Sequence, residues 1–383
     1  MKSLVIFPDE MCDLEVIKTR GDFSLEEIHI HAGLVVEDDL LLRDCFDPEH
    51  SVLVEKIAFS CNYRDKSYIL ESDKGIKAKA RKGELYFSYL GSDFVGEVID
   101  VGKRVKAFHI GDRVIPNISY PSHSKDYTPG LPTNNASLRI EDFPANKLLK
   151  VPPHIDISNE KLAAFPIAAF TAYSMVRKAV KPQTKVLATA AKSNTSLAVI
   201  SALKNRPVAV YAMTSNAKHM DKLKEMGVVD VLVVDRDLDD YAADESLRQK
   251  MEQIGKFDTI IDPFFDIYLP RVVDFLAMDS RYITCGLYDQ FPDFATAKYQ
   301  YRGKNFNDML IGLMVKNASL TGNCIGLKED GLQALEDLNG GRFDIVIDSI
   351  FSEGEESAFL HKTYNDTDRF GKVVYAYSDR SLK

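Results

Sequence analysis

The chain has 383 residues, with 48 basic against 57 acidic side chains, a formal net charge of −9, 45% hydrophobic and 27% charged residues. That length suits two domains, and the composition is that of an ordinary globular protein. The acidic balance argues against nucleic acid and anionic membranes as partners, because both are normally met by a basic patch. No apolar run approaches the ~18 residues of a membrane span, and the start lacks a signal-peptide pattern. Cys12, Cys45, Cys61, Cys285 and Cys324 are scattered, odd in number and never in a C-x-x-C pair. A disulfide framework is not expected, and a reducing cytoplasm is the default location.

In chain order, Leu4 to Phe7 is a short strand-like run before Pro8. Residues 51–60 alternate in part and predict a strand, and residues 94–116 predict strand, turn and strand. Antiparallel β structure fits this half. The character changes near Val151-Pro152-Pro153. Residues 158–180 predict a helix, capped by Ser158 and ended before Pro182. Strands and helices then alternate: strand 186–189, helix 195–204, strand 208–213, helix 218–226, strand 231–234, and strands at 259–261 and 282–285. Such alternation is the mark of a doubly wound parallel sheet. From about residue 300 the elements are mixed, closing on a strand at 372–377. The expected division is 1–155 with 300–383 as one domain, and 156–299 as the other.

The glycine-rich run Gly91-Ser92-Asp93-Phe94-Val95-Gly96-Glu97-Val98, with Val101-Gly102, Val105, Phe108 and Gly111-Asp112-Arg113-Val114, resembles the signature of the medium-chain dehydrogenase/reductase superfamily. Ser60-Cys61-Asn62-Tyr63-Arg64-Asp65 is similar to a segment of its quinone-oxidoreductase-like members. Ala164 to Tyr173, Val186 to Ser196, Asp258 to Pro263, Gly286-Leu287-Tyr288 and Gly371-Lys372-Val373-Val374 extend the agreement. The resemblance implies an α/β protein: a GroES-like β-rich catalytic domain plus a Rossmann domain. It leaves the first 45 residues, with His29 and His31, without interpretation.

Zinc-dependent members of that superfamily hold the metal with Cys, His and a later Cys or acid. The matching positions here are Asn62, Ser92 and Ile167, none of them a thiolate, imidazole or carboxylate. Cys61 is one place out of register, which turns a strand side chain to the other face. No metal site is therefore expected.

A Rossmann turn usually carries G-x-G-x-x-G. This chain has Thr189-Ala190-Ala191-Lys192-Ser193-Asn194-Thr195-Ser196 instead. The helix start still offers N–H groups and a positive dipole end to a phosphate, with Lys192 and the Ser/Asn/Thr side chains adding donors. A helix cap without ligand is the plainer reading of the same residues. After the second strand come Thr214, Ser215 and Lys218 and no acid, which favours NADP(H) over NAD(H). Lys218 is equally readable as an exposed helix residue. The cofactor-binding candidates are Thr171, Ala190, Lys192, Ser193, Asn194, Thr195, Thr214, Ser215, Lys218, Gly286, Leu287 and Tyr288.

Without zinc, the chemistry that remains is hydride delivery to an alkene conjugated to a carbonyl, with hydrogen bonds holding the developing enolate. Tyr63 and Asn62 are the catalytic candidates, with Tyr68 as understudy. The expected substrate is an enone, quinone, enoyl thioester or dehydroamino acid, free or on a carrier or peptide. Zinc-independent carbonyl reduction and a non-catalytic nucleotide-binding role are the alternatives. The resemblance also implies a homo-oligomer.

Overall fold

The computed structural model describes residues 1–37, 46–121, 130–288, 290 and 301–378. The described residues divide into two compact units, one built from those of 1–167 with 347–378, the other from those of 168–288 with 301–346. Among the described residues no helix is long and apolar enough to cross a membrane. Cys12, Cys61, Cys285 and Cys324 are free thiols, and Cys45 lies outside the described residues.

The first unit opens with strands β1 (Lys2–Phe7), β2 (Gly21–Leu25) and β3 (Ile28–Val36), an antiparallel sheet in the order β1-β3-β2. Alternate residues Ile30, Ala32 and Leu34 of β3 are buried, the period-two pattern of a sheet with one covered face. The stretch that no sequence pattern explained is thus a sheet of its own.

Next come β4 (Ser51–Ser60), helix α1 (Asp65–Ala80), β5 (Asp93–Val101), β6 (Arg113–Pro116), β7 (Ile140–Pro144) and β8 (Leu148–Lys150). β4 is buried along nearly its whole length, which is why its alternation is only partial. β4 and β5 run antiparallel with a register shift between Lys56 and Ala58. Gly96 sits there, and a Cβ on it would meet the Glu55 carbonyl oxygen at 2.8 Å. The glycine of the signature is needed for that close approach.

The expected helix over 158–180 is two, α2 (Asn159–Ala164) and α3 (Pro166–Ala179). Pro166 has no N–H to continue α2 and suits the first position of a new helix. Ser158 caps α2 as its sequence position suggests, accepting from the Lys161 N–H at 3.3 Å.

The second unit alternates strand and helix: β9 (Lys185–Ala188), α4 (Asn194–Leu203), β10 (Ala209–Thr214), α5 (Met220–Glu225), β11 (Asp230–Val233), α6 (Glu245–Ile254), β12 (Phe257–Asp262), α7 (Phe265–Val272), β13 (Leu276–Thr284), α8 (Phe306–Val315), β14 (Ser319–Gly322) and α9 (Lys328–Asn339). The strand order is β11-β10-β9-β12-β13-β14, every pairing is parallel, and the order reverses between β9 and β12. Leu187, Met213, Ile260 and Tyr282 from four adjacent strands share one buried core. The helix expected from 218 starts later, at Met220, because His219 has φ 69°, outside the helical region.

The chain then closes the first unit with β15 (Ile347–Phe351), α10 (Glu356–Tyr364) and β16 (Lys372–Ala376), giving the sheet order β15-β16-β4-β5-β6-β8 with β7 also on β4. The return to this unit therefore comes at 347, not near 300, because β14 adds a sixth parallel strand and α9 follows it. The first unit likewise extends to 167, beyond the expected 155.

Candidate functional site

Two sets of residues carry chemistry, one in each unit. In the first, β4 ends at Ser60 and the chain turns through Cys61, Asn62, Tyr63 and Arg64 into α1. Asp65 holds that turn, its Oδ2 accepting from the Asn62 backbone N–H at 2.8 Å and from the Ser92 hydroxyl at 2.7 Å. Asn62 Nδ2 donates to Ser92 Oγ at 3.0 Å and to Asp93 Oδ2 at 2.8 Å. Asp93 Oδ1 accepts from the Ile167 N–H at 3.1 Å, in the first turn of α3 where a carboxylate is favoured.

Into this cluster β16 brings Lys372. Its ammonium donates to Asn62 Oδ1 at 2.6 Å, Ser60 Oγ at 3.0 Å, the Cys61 carbonyl at 3.2 Å and Asp93 Oδ2 at 3.2 Å. Lys372 and Asp93 are both fully buried. Burial pushes the Asp65 carboxyl up from its ordinary value, opposed by the Arg64 guanidinium 2.8 Å away and by the Ser92 hydroxyl. Burial also drives the Cys61 thiol well above its ordinary value.

The three positions matched to zinc ligands do come together here, but Ile167 supplies a backbone N–H, Asn62 an amide and Ser92 a hydroxyl. A lysine ammonium stands among them. Every contact Lys372 makes is one an acceptor oxygen makes with a cation, and a second cation beside it would be repelled. The donor set does not fit zinc.

Lys372 was invisible as a site residue in the sequence, where it only opens the apolar run Lys-Val-Val-Tyr. A buried strand that begins with a charge was the available signal. Both amide N–H groups of Asn62 are donated inside the cluster, to Ser92 and Asp93, and its Oδ1 accepts from Lys372.

Tyr63 and Tyr68 are half-buried. The Lys66 ammonium lies 5.8 Å from the Tyr63 ring centre, and the Tyr68 hydroxyl reaches Asn135 Oδ1 at 3.3 Å. Tyr364, half-buried at the end of α10, points its hydroxyl at the Asn62 carbonyl at 3.4 Å.

In the second unit the candidates fall on the turns at the carboxyl ends of the parallel strands, beside the reversal of strand order where ligands of such sheets bind. After β9, Ala190 takes φ 43°, the left-handed conformation usually reserved for glycine. The turn holds because Ser196 Oγ donates to the Thr189 carbonyl at 2.6 Å and Thr189 Oγ1 to Asp262 Oδ1 at 2.6 Å. Ser193 is the cap of α4, accepting from the Ser196 N–H at 3.2 Å. Asn194 Oδ1 is buried there and has no hydrogen-bond partner among the described residues. Thr195 is half-buried beside it.

Lys192 Nζ donates to Asn216 Oδ1 at 3.1 Å, joining the turn after β9 to the turn after β10. The Lys218 N–H reaches the same oxygen at 3.2 Å. Thr214 is buried, Ser215 half-buried and Lys218 exposed. After β13, the Gly286 carbonyl accepts from the Phe265 N–H at 3.1 Å and Asp266 from the Tyr288 N–H at 2.7 Å, leaving the Leu287 and Tyr288 side chains exposed. Thr171 is buried on α3, not on these turns. The turns after β9, β10 and β13 thus present backbone, hydroxyl and ammonium donors, the set that a dinucleotide requires.

Asp262 ties β12 to this edge and yields a pH prediction. Burial pushes its carboxyl up to about 6, despite hydrogen bonds from Thr189, Tyr282 and the Phe264 N–H. A folded-state pKa above the unfolded value of about 4 favours the fold fully at low pH. That contribution is lost as pH rises through about 6. Asp262→Asn should therefore gain on the wild type by on the order of 1–1.5 kcal/mol between about pH 5 and about pH 7.5. Urea unfolding at the two pH values measures it, and a constant difference would contradict the assignment.

Residues 48–137 match the family model described as the alcohol dehydrogenase GroES-like domain. No curated protein matches the chain in sequence. Among solved structures the chain is similar to a cobalt- and zinc-bound thermostable alcohol dehydrogenase from Pyrobaculum aerophilum, at 19% identity and TM-score 0.66, covering 94% of this chain and 99% of that one. It is similar to the quinone oxidoreductase from Coxiella burnetii at 18% identity and TM-score 0.65, covering 98% and 99%. A crotonyl-CoA carboxylase/reductase is similar at 15% identity and TM-score 0.68, covering 99% and 89%. At these identities the likeness speaks for the fold and not for the metal or the substrate. The chain has the fold of the medium-chain dehydrogenases and reductases, a GroES-like domain and a doubly wound parallel-sheet domain.

Proposed function

We propose that this protein is a zinc-independent, NADPH-dependent reductase of alkenes conjugated to a carbonyl. The observation that carries the reading is the buried Lys372 ammonium, held by Ser60, Asn62, Asp93 and the Cys61 carbonyl among the positions where zinc-dependent relatives place ligands. A lysine ammonium in that place would not polarise an alcohol as a Lewis acid does, which supports an acceptor that is already activated. Two of the similar structures are a quinone oxidoreductase and a crotonyl-CoA carboxylase/reductase, which agrees with that class.

NADPH, when bound, supplies the hydride. The α4 N-terminus and the side chains of Asn194 and Lys192 would hold its pyrophosphate. Ser215 and Lys218 would hold the 2′-phosphate, with no acid in the turn to repel it. Tyr63 donates a hydrogen bond to the substrate carbonyl oxygen as charge builds there, and supplies the proton.

Fluorescence titration tests the cofactor half. NADPH should bind at least several-fold more tightly than NADH, since a charge-assisted contact contributes on the order of 1.5–3 kcal/mol. Ser215→Ala with Lys218→Ala should erase the preference. Equal affinities in the wild type would refute it, and binding of neither nucleotide would favour the non-catalytic role. Turnover of simple aldehydes but of no enone, quinone or enoyl thioester would favour carbonyl reduction.

A second copy of the chain is the proposed partner. β14 is the last strand of its sheet among the described residues, and Leu320 on it and Phe306, Ile311, Met314 and Val315 on α8 are exposed. An edge strand with apolar neighbours invites pairing. Light scattering should give twice the chain mass, and a monomer at micromolar concentration would refute the dimer.

A further inference from the structure

The reductase reading leaves the two histidines of the N-terminal sheet without a role. His29 and His31 are two residues apart on β3, so their side chains leave the same face. Asp22 on β2 is paired directly opposite His31. His31 Nδ1 lies 2.5 Å from Asp22 Oδ1, and its Nε2 lies 2.6 Å from Asp9 Oδ1, just past the end of β1.

His29 Nε2 is 4.0 Å from that same Asp22 oxygen, and the two imidazoles meet edge to face at 4.8 Å. One ligating atom from each of Asp22, His29 and His31 lies within 4.8 Å of the others. On α1, Asp73 is buried and interacts electrostatically with both His31 and Asp9. Its Oδ2 takes Lys77 at 2.9 Å, while its Oδ1 has no partner among the described residues. Lys77 also donates to the His29 carbonyl at 2.7 Å.

We propose that Asp22, His29 and His31 bind a divalent transition-metal cation, with Asp9 orienting His31. Two imidazoles and a carboxylate suit zinc and its first-row neighbours, whereas calcium and magnesium want oxygen alone. An imidazolium clamped between two carboxylates would account for Asp9, Asp22 and His31, but it gives His29 nothing to do.

Around a tetrahedral metal with bonds of ~2.0–2.2 Å, ligand atoms stand roughly 3.3–3.5 Å apart. Reaching that spacing takes a shift of about 1 Å, which Asp22 and His29 are exposed enough to make, at 55% and 56%. His31, at 13%, stays fixed. Its Nδ1 takes the metal. Its Nε2–H remains on Asp9, the carboxylate–histidine–metal arrangement that sets ring orientation. Water completes the shell, and the metal links the hairpin β2–β3 to the end of β1 through Asp9.

Calorimetric titration of the full chain with zinc chloride, after chelation and dialysis, should show about one equivalent bound and no saturable binding of calcium. Cobalt(II) should give the visible absorption of a tetrahedral site. His29→Ala and Asp22→Asn should each weaken zinc binding at least about tenfold, and Asp9→Ala should weaken it about 10- to 100-fold. Zinc should raise the melting midpoint of the wild type and not of His29→Ala, since a ligand of the folded state stabilises it. The exposed His29 makes that variant safe for folding. Absence of saturable zinc binding, or binding equally tight in His29→Ala, overturns the proposal.

Discussion

Replacing Lys372 with methionine is expected to destabilise the protein by about 3–5 kcal/mol, the cost of leaving a buried charge without its partner. Lys372 has four acceptors and Asp93 is fully buried beside it, so its removal takes the counter-charge from a buried carboxylate and the donor from the Asn62 amide oxygen. Adding Asp93→Asn should recover a large part of the loss, because the orphaned charge goes with it. A chelator should leave turnover unchanged. The His29→Ala, His31→Ala variant, which removes the proposed surface site, should contain well under one zinc per chain. Urea unfolding and elemental analysis measure these outcomes. A loss below about 1 kcal/mol for Lys372→Met, or stoichiometric zinc in the double histidine variant, would show that the cluster is not organised around the ammonium.

The second large effect is expected at Tyr63. Hydride arriving at the β-carbon pushes charge onto the carbonyl oxygen, and a hydroxyl aimed there strengthens its bond as the charge develops. Tyr63→Phe should lower turnover on a conjugated alkene by about 10- to 100-fold with NADPH affinity little changed, in the lower part of the range for general acid–base catalysis. Tyr68→Phe should matter less, since the Tyr68 hydroxyl is already engaged with Asn135. If Tyr63→Phe turns over normally, the role passes to Tyr68. If both substitutions are silent on every accepted alkene, the hydroxyl-donor mechanism is wrong.

The elements of the second unit were readable because each is a local pattern. Apolar runs such as Val-Leu-Ala-Thr and Thr-Ile-Ile-Asp, spaced by helices, can be little else than buried parallel strands. The glycine signature was equally local, since Gly96 answers to a close approach of two neighbouring strands. Where one long helix was expected, Pro166 divided it by a rule that can also be read from the sequence, although the run of apolar residues hides it. The boundary near residue 300 was harder. β14 is only four residues long and exposed, so the turn back to the first unit at 347 leaves no sharp mark.

The site divides along the same line. From sequence came the glycine-free turn, the helix cap among its Ser, Asn and Thr residues and the lack of zinc donors at Asn62, Ser92 and Ile167, because these depend on residue chemistry and on neighbours a few positions away. Tertiary structure decided the rest. Lys372 lies 310 positions from Asn62 in the chain, and only the antiparallel pairing of β16 with β4 brings its ammonium to that amide. His29, His31, Asp22 and Asp9 converge for the same reason, through strand register across three strands. Composition and periodicity tell a strand which face to bury, but not which distant strand will pair with it. A site assembled by pairing therefore appears only when the sheet is formed.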